Sequence, residues 1–421
     1  MKTCGLDVHK DTIFCAIYEK EDAKVEEFPT FTPSLEAMCE YIKGQGVDTV
    51  AMESTGIYIE AIRTMLRRSG LRAVVVNPYL IRQMPGRKSD VKDSIWIAKL
   101  ASKQMLSPSF VPDGVLAELR TYTRAYARFV QRQTQTLTAI DRILVSGGVR
   151  LSSVLSSVST KSFLEVAKCV ADGEDDPEAL AGHIYGRARK KPHLKEALTG
   201  CVEERQRWQL RQALEELRLY QGRIAESQSK MEGLAEAHYH EELRLVETVP
   251  GISRTAAICI IAEIGTDMSA FATSGRLCGW AGLRPRNDES AGKYKSTATT
   301  KGNSHLKPML VQCAWGAVRT RGSKFESVFR RLSARKSSKK AIIAVARKLL
   351  VTVFAILDKH QEYCPDPRAS GMTERQLHSA VAADAARHSR ERLPESHVTF
   401  DPHEQQDKAG YLCGSASPQG R

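Results

Sequence analysis

The first hundred or so residues alternate short apolar runs with stretches of helical period. Thr3–Val8, residues 12–18 and residues 26–30 read as strands, and Val8-His9-Lys10-Asp11 as the hairpin turn between the first two. Residues 35–42 read as a helix, Thr49–Glu53 as a strand buried through Val50-Ala51-Met52, residues 57–68 as a helix, and 71–76 as a strand built on Ala73-Val74-Val75-Val76. Beyond Pro78, Arg87-Lys88-Ser89-Asp90-Val91-Lys92-Asp93 leads into a further helix at 94–100. Three strands, then helix, strand, helix, strand, helix predict a mixed α/β sheet with helices on its faces, over residues 1–110.

From 111 to 245 the period changes. Leu119, Tyr122, Tyr126, Phe129, Gln133, Leu137, Ile140 and Leu144 recur in threes and fours, the spacing of a coiled-coil seam. Leu210, Leu214, Leu217, Ile224, Met231 and Leu234 repeat it. Two helices pairing antiparallel as a stalk are expected, separated by an insertion that begins near Gly147-Gly148 and is rich in serine. Arg120, Arg124, Arg128 and Arg132, four apart, form one ridge, either a solvated outer face or a phosphate contact.

Residues 246–360 form a third, all-α unit. Thr248-Val249-Pro250-Gly251-Ile252-Ser253 joins two helices by a tight turn. That is either an ordinary helical hairpin or a helix-hairpin-helix-like motif, in which turn amides meet a phosphate, with Ser253 at the usual place of the second turn glycine. Gly279-Trp280-Ala281-Gly282-Leu283-Arg284-Pro285-Arg286 is followed by a polar loop, Asn287-Asp288-Glu289-Ser290-Ala291-Gly292-Lys293, with Lys295 and Lys301 beyond. A serine among small residues and cations can attack phosphorus once a base or metal activates it. Ser296 and Ser304 compete with Ser290, and plain loop polarity explains the stretch equally well. Past residue 360 the chain turns polar and proline-rich, and 361–421 is expected to be a disordered tail.

Charge sharpens this outline. The 421 residues carry a net +13, and between Arg319 and Lys348 eleven Lys or Arg stand against the single acid Glu326, a net +10. So dense an excess suits a polyanion, nucleic acid first among them. No apolar run is long enough to cross a bilayer, so no membrane partner is expected. The polar start Met1-Lys2-Thr3-Cys4 does not read as a signal peptide, and a cytoplasmic protein is expected. The ten cysteines show no CxxC pair and no zinc spacing, and read as reduced, mostly buried small side chains.

The acids fall in a pattern. Asp7 lies on the first strand, Glu53 ends the fourth, and Asp90 and Asp93 open a later helix, sharing one face at a spacing of three. Taken singly, each has a plain reading: Asp90 as the helix cap, Asp93 as a dipole partner, the others as surface acids. Taken together at the strand ends of an open sheet, they would repel unless cations joined them. Two Mg²⁺ about 4 Å apart would make a centre for phosphodiester chemistry; Mn²⁺ is the alternative ion. His9 is a further ligand candidate, although a lone histidine beside a strand is more often structural.

With these motifs in order, residues 1–360 resemble the DEDD transposases of bacterial insertion sequences, relatives of the Piv-type DNA invertases. The resemblance is carried by Gly5-Leu6-Asp7-Val8-His9-Lys10, Met52-Glu53-Ser54-Thr55-Gly56, Lys88-Ser89-Asp90-Val91-Lys92-Asp93, Val249-Pro250-Gly251-Ile252, Ala281-Gly282-Leu283-Arg284-Pro285 and Glu289-Ser290-Ala291-Gly292. It implies an RNase H-like, RuvC-type domain with Asp7, Glu53, Asp90 and Asp93 as metal-binding catalytic acids, and Ser290 as nucleophile. It further implies a composite site between subunits of a homo-oligomer (dimer or tetramer), covalent phosphoserine chemistry on element-end and target DNA, and guidance by a structured bridge RNA. Arg120, Arg124, Arg284, Lys293, Lys295, Lys301, Arg330 and Arg331 are the candidate nucleic-acid contacts. A RuvC-like nuclease using water, a DNA invertase and a non-catalytic nucleic-acid scaffold are the competing expectations.

Overall fold

The computed structural model describes residues 2–47, 49–53, 56–76, 89–106, 108–285, 288–290, 293–296 and 298–365, of which 288–290 and 293–296 are described in backbone only. Ser54, Thr55, the stretch from Pro78 through Arg87-Lys88, Ala291-Gly292 and almost all of the expected tail lie outside the described residues.

Five strands form one sheet: β1 (Thr3–Val8), β2 (Thr12–Glu19), β3 (Asp22–Pro29), β4 (Thr49–Glu53) and β5 (Arg72–Val76), in the order β3-β2-β1-β4-β5. The first three run antiparallel, with Leu6 opposite Cys15 and Cys15 opposite Glu26. β4 lies parallel to β1, with Met52 level with Leu6, and β5 parallel to β4. This mixed sheet, covered by helices on both faces, fits the α/β RNase H-like domain expected for the N-terminal part.

β1 is central and buried at all six positions. Its two faces meet different helices because side chains alternate along a strand. Cys4, Leu6, Val50 and Met52 face α1 (Thr32–Gly44) and α2 (Tyr58–Arg68), whose Met38, Ile42, Ile62 and Leu66 complete that core. Gly5, Ala16 and Ala51 face α3 (Asp90–Ser102), against Ile97 and Ala98. Two differences from the sequence reading stand out here. β3 begins at Asp22 rather than 26, its hairpin turned by Lys20 and Glu21 at φ 52° and 70°. Neither residue is the glycine or asparagine that announces such a turn. The cap of α3 is Ser89, whose hydroxyl accepts from the Lys92 amide at 3.4 Å, so Asp90 is the first helical residue and not the cap.

α4 (Gly114–Ser146) spans 33 residues. An insertion follows, with α5 (Leu151–Val154), α6 (Lys161–Asp172), α7 (Pro177–Gly182) and α8 (Leu194–Leu198), and its core around Phe163, Val166 and Val170 is continuous with Leu137, Ile140 and Leu144 of α4. α9 (Glu204–Glu247), 44 residues long, returns alongside α4. Leu144 shares a cluster with Leu210, the Arg223 guanidinium lies over Phe129, and the Lys230 ammonium over Tyr122. Contacts that advance along one helix and retreat along the other fix an antiparallel pair. α9 is kinked at Tyr239, at φ −139° and ψ 27°.

The third unit holds α10 (Arg254–Ile264), α11 (Ser274–Trp280), α12 (Leu306–Arg319), α13 (Lys324–Ser333) and α14 (Ser338–Lys359) around a core that includes Ile258, Ile261, Leu310, Leu349 and Val353. It is not all-α. β6 (Asp288–Ser290) and β7 (Lys293–Ser296) form an antiparallel hairpin, with Ser290 opposite Lys293. The sequence hides it because nearly every residue of both strands is polar, so no apolar alternation marks them. None of the helices, among the described residues, is long and apolar enough to cross a membrane.

Candidate active site

Two constellations stand out. The first begins with a missing side chain. A Cβ on Gly5 would lie 2.3 Å from the Ser94 carbonyl oxygen and 2.4 Å from the Ala98 nitrogen, so only glycine lets α3 settle on β1. The Thr3 hydroxyl, buried, donates to the Ala98 carbonyl at 2.8 Å and ties the same two elements. With α3 so seated, its N-terminus comes to the C-terminal end of β1, where Asp7 stands.

Asp7, 7% exposed, shares the α3-facing side of the strand with Gly5, two residues back. His9 Nε2 lies 3.2 Å from one Asp7 carboxylate oxygen and 3.5 Å from one of Asp90. The three residues each present a ligand atom, all within 4.8 Å of one another. Burial pushes the Asp7 carboxyl up; the His9 ring, by charge and hydrogen bond, pulls it down, and the charges of Asp90 and Asp93 push it up again. The net rise comes first from burial and only then from the neighbouring acids. The donor set fits a divalent cation, with His9 joining the acids.

Glu53 and Asp93 flank this group. Glu53 follows Met52 on β4 as Asp7 follows Leu6 on β1, so the two acids share one face on adjacent parallel strands. Asp93, half-buried in the first turn of α3, reaches Asp7 through its charge. Neither contributes to the three-residue cluster among the described side chains. The sequence singled out all four acids from their strand-end and helix-start positions; His9 carried only the signal of lying two residues from Asp7.

The second constellation carries Ser290. The chain leaves the helical core at Gly282 (φ 72°) and returns at Gly302. There the two backbones cross so closely that a Cβ on Gly302 would stand 2.2 Å from the Gly282 nitrogen. Outward from the crossing, the Thr300 amide donates to the Arg284 carbonyl at 2.9 Å, and Pro285 bridges Thr299. β6 and β7 follow. Ser290 closes the first strand of this arm, and Lys293 opens the second.

The base of the arm is held from inside. Glu263, at the end of α10, accepts from Arg124 with both carboxylate oxygens, at 2.7 and 2.9 Å, and from the Asn303 amide at 2.6 Å. Asn303 in turn accepts from the His305 and Leu306 amides at the start of α12. Arg120 donates to the carbonyls of Ala262 and Glu263 at 3.0 and 2.6 Å, and burial lowers its guanidinium to about 10. Burial pushes Glu263 up, but the Arg124 hydrogen bond and the charges of Arg120 and Arg124 outweigh it and hold the carboxyl below its ordinary value. The ridge of Arg120 and Arg124, open between a solvated face and a phosphate contact, spends its hydrogen bonds on the α10 carbonyls and Glu263.

The turn at Gly251 (φ 86°) is likewise packed inward, since a Cβ there would lie 2.2 Å from the Ala317 nitrogen of α12. Ser253 caps α10, accepting from the Ala256 amide at 3.4 Å. Of the remaining candidate contacts, Arg284, Lys301 and Arg331 are exposed, and Arg330 pairs with Glu326 at 2.6 Å along α13. Lys293 and Lys295 lie on β7, described in backbone only. Arg335, Lys336, Lys339 and Lys340 are all exposed, from the end of α13 into the first turn of α14, ahead of its first buried residue, Ala341.

Two family models match the chain. One, a DEDD-type transposase family, covers residues 4–147; the other, described as Transposase IS116/IS110/IS902 family, covers 243–330. The chain is 23% identical over 377 residues to the transposase for insertion sequence element IS1111A of Coxiella burnetii, covering 86% of this chain and 91% of that protein. It is 29% identical over 122 residues to the pilin gene-inverting protein of Moraxella bovis, covering 28% of this chain and 38% of that one. Among solved structures, that of Thermus thermophilus RuvC matches 26% of this chain and 100% of that chain, at 15% identity and a TM-score of 0.21.

Proposed function

The chain belongs to the IS116/IS110/IS902 family of transposases, and on that premise we propose that it cuts and rejoins DNA through a covalent phosphoserine link at Ser290. The observation that supports this most directly is the meeting of Asp7, His9 and Asp90, with one ligand atom from each within 4.8 Å of the others. Asp7, Asp90 and His9, with Glu53 and Asp93 beside them, would hold divalent cations, Mg²⁺ above all. Bound there, the cations would neutralise charge building on a phosphoryl group and draw down the pKa of a hydroxyl placed against them.

The chain's own residues do the rest. The Ser290 hydroxyl gives up its proton to a carboxylate and its oxygen bonds to phosphorus. The bond from phosphorus to one deoxyribose oxygen breaks, and that oxygen takes a proton as it leaves. A hydroxyl on another strand then attacks the phosphoserine, restoring the serine, so phosphodiester energy is kept through the exchange. The glycine-crossed base of the arm would hold Ser290 in position for both attacks.

In this reading the carboxylates of one subunit serve the Ser290 arm of another within a homo-oligomer. The α4–α9 pair acts as a coiled-coil stalk, and the turn at Gly251 as a helix-hairpin-helix-like element. A structured bridge RNA pairs with target and donor DNA and supplies sequence choice, while exposed cations such as Arg331, Arg335 and Lys339 follow its backbone.

A trapping assay tests the core of it. The full chain, with its co-purifying RNA, is incubated with element-end DNA and Mg²⁺, denatured, and examined for DNA covalently bound to protein. An adduct that disappears in Ser290→Ala and in Asp90→Ala is expected. Nicked DNA without adduct, with Ser290→Ala still cutting, would leave a hydrolytic nuclease in its place.

A further inference from the structure

A cleft of about 990 Å³ opens beside the base of the Ser290 arm, between the segment that precedes α4 and the residues that lead into α12. That is the upper end of the range for ligand clefts, about 300–1,000 Å³, and gives room for more than one nucleotide. Its chemistry is lopsided. Arg124, Arg276, Lys301 and His305 line it, and among the described lining residues none is acidic. Arg124 is answered from behind by Glu263; Arg276 and Lys301 stand exposed at the rim. Burial and the Arg124 charge hold the His305 ring below its ordinary value, so it adds a neutral ring rather than another charge.

The floor is aromatic. Phe110 and Trp280 both line the cleft, with ring centres 6.1 Å apart and edge to face, each also packed on the buried Phe271. Arg120 lies over the Phe110 ring, 5.5 Å from its centre. Cations at a rim over half-buried aromatic faces are the pairing by which proteins hold single strands, phosphates on the charges and bases on the rings. A duplex cannot offer its base faces to such a floor. A small anion would use the rim and leave the rings idle.

We propose that this cleft binds a single-stranded segment of nucleic acid next to the serine arm, with Arg276 and Lys301 on its phosphates and Trp280 as a stacking platform. The inference rests on the transposase reading but adds a site to it. A strand seated here would lie against Gly302 and Asn303, the residues that fix where the arm returns to the core.

The test uses the full chain carrying Ser290→Ala, so that no bond is made or broken. Fluorescence anisotropy follows labelled oligodeoxythymidine, oligouridine and a DNA duplex as salt is varied. Against this parent, Arg276→Ala with Lys301→Ala should weaken single-strand binding at least about tenfold and reduce the slope against log salt by about 1.4, at 0.7 for each lost phosphate contact. Trp280→Leu should weaken it about tenfold to a hundredfold. Duplex affinity should stay within twofold in Trp280→Leu and fall less than single-strand affinity in the double cation variant. Whichever of the thymidine and uridine strands shows the fall identifies the strand as DNA or RNA.

Single-strand affinity within twofold of the parent in the double cation variant would overturn the proposal. So would a fall confined to Trp280→Leu, which would report disturbed aromatic packing instead. The covalent adduct, scored separately with Ser290 intact, can fail without touching these affinities, and so the two readings fall independently.

Discussion

Gly282 and Gly302 cross backbone to backbone, and a Cβ on Gly302 would stand 2.2 Å from the Gly282 nitrogen and 2.5 Å from its Cα. Backbone, unlike the tip of a long side chain, cannot move aside. Gly302→Ala should therefore cost about 1–3 kcal/mol, and the strain should fall on the arm that carries Ser290. Thermal melting and strand-transfer assays should both register the loss. Gly275→Ala is the control: the nearest atom to its Cβ is the Thr273 hydroxyl at 3.8 Å, and alanine within α11 should leave stability equal or slightly higher.

Gly5→Ala attacks the other constellation. The new methyl would meet the Ser94 and Ala98 backbone at 2.3 and 2.4 Å and push α3 away from β1. Asp90 and Asp93 ride on α3, Asp7 on β1. Mn²⁺ affinity measured by calorimetry should fall together with stability, although no acid has been changed. Unaltered Mn²⁺ binding would mean that α3 does not set the spacing of the acids.

Within the site, Asp90→Asn should abolish divalent-ion binding and DNA cleavage together, since it removes a charge that Asp7 and His9 cannot replace. His9→Ala should weaken Mn²⁺ binding at least about tenfold, the usual scale for losing a group that supports a metal site. Equal Mn²⁺ affinity in His9→Ala and the parent would assign the histidine to the fold alone.

Glu263 supplies a pH signature. Its carboxyl lies below the ordinary value of 4.5 in the folded chain, so the charged form is the one that folding favours. The stability it confers is complete above 4.5 and is lost as pH falls through the lowered folded value. Glu263→Gln leaves Arg120 and Arg124 facing a neutral group and should cost about 3 kcal/mol near pH 7. In urea titrations the gap between parent and variant should hold down to about pH 5 and narrow below it.

How much of this could be read beforehand depended on burial. Thr3–Val8 and Thr49–Glu53 came out of the sequence residue for residue, because both are central strands whose apolar runs have clear ends. β3 did not, being an edge strand whose side chains are half-exposed or exposed, with its turn on Lys20 and Glu21. The serine arm was legible as a motif and illegible as a hairpin, since its strands bury no apolar face. The partner of Arg124 was hidden for a different reason: four-residue spacing shows that Arg120 and Arg124 share a ridge, but not that Glu263, 139 residues beyond Arg124, meets it. Asp7 and Asp90, which the structure brings together with His9, had been marked by position; Gly5, which lets α3 approach β1, looked like any other strand residue.

The crowding of carboxylates around Asp7 also bears on something other than chemistry. Without a cation, the end of β1 and the start of α3 push against each other through Asp7, Asp90 and Asp93. An ion that binds only the folded chain adds about 2.7 kcal/mol at a hundred times its dissociation constant. If divalent ions bind there as proposed, folding and cation supply become linked quantities. A chain short of them would then loosen at the seam between α3 and the sheet before any strand is cut, and ionic conditions would set the lifetime of the folded domain as well as its turnover.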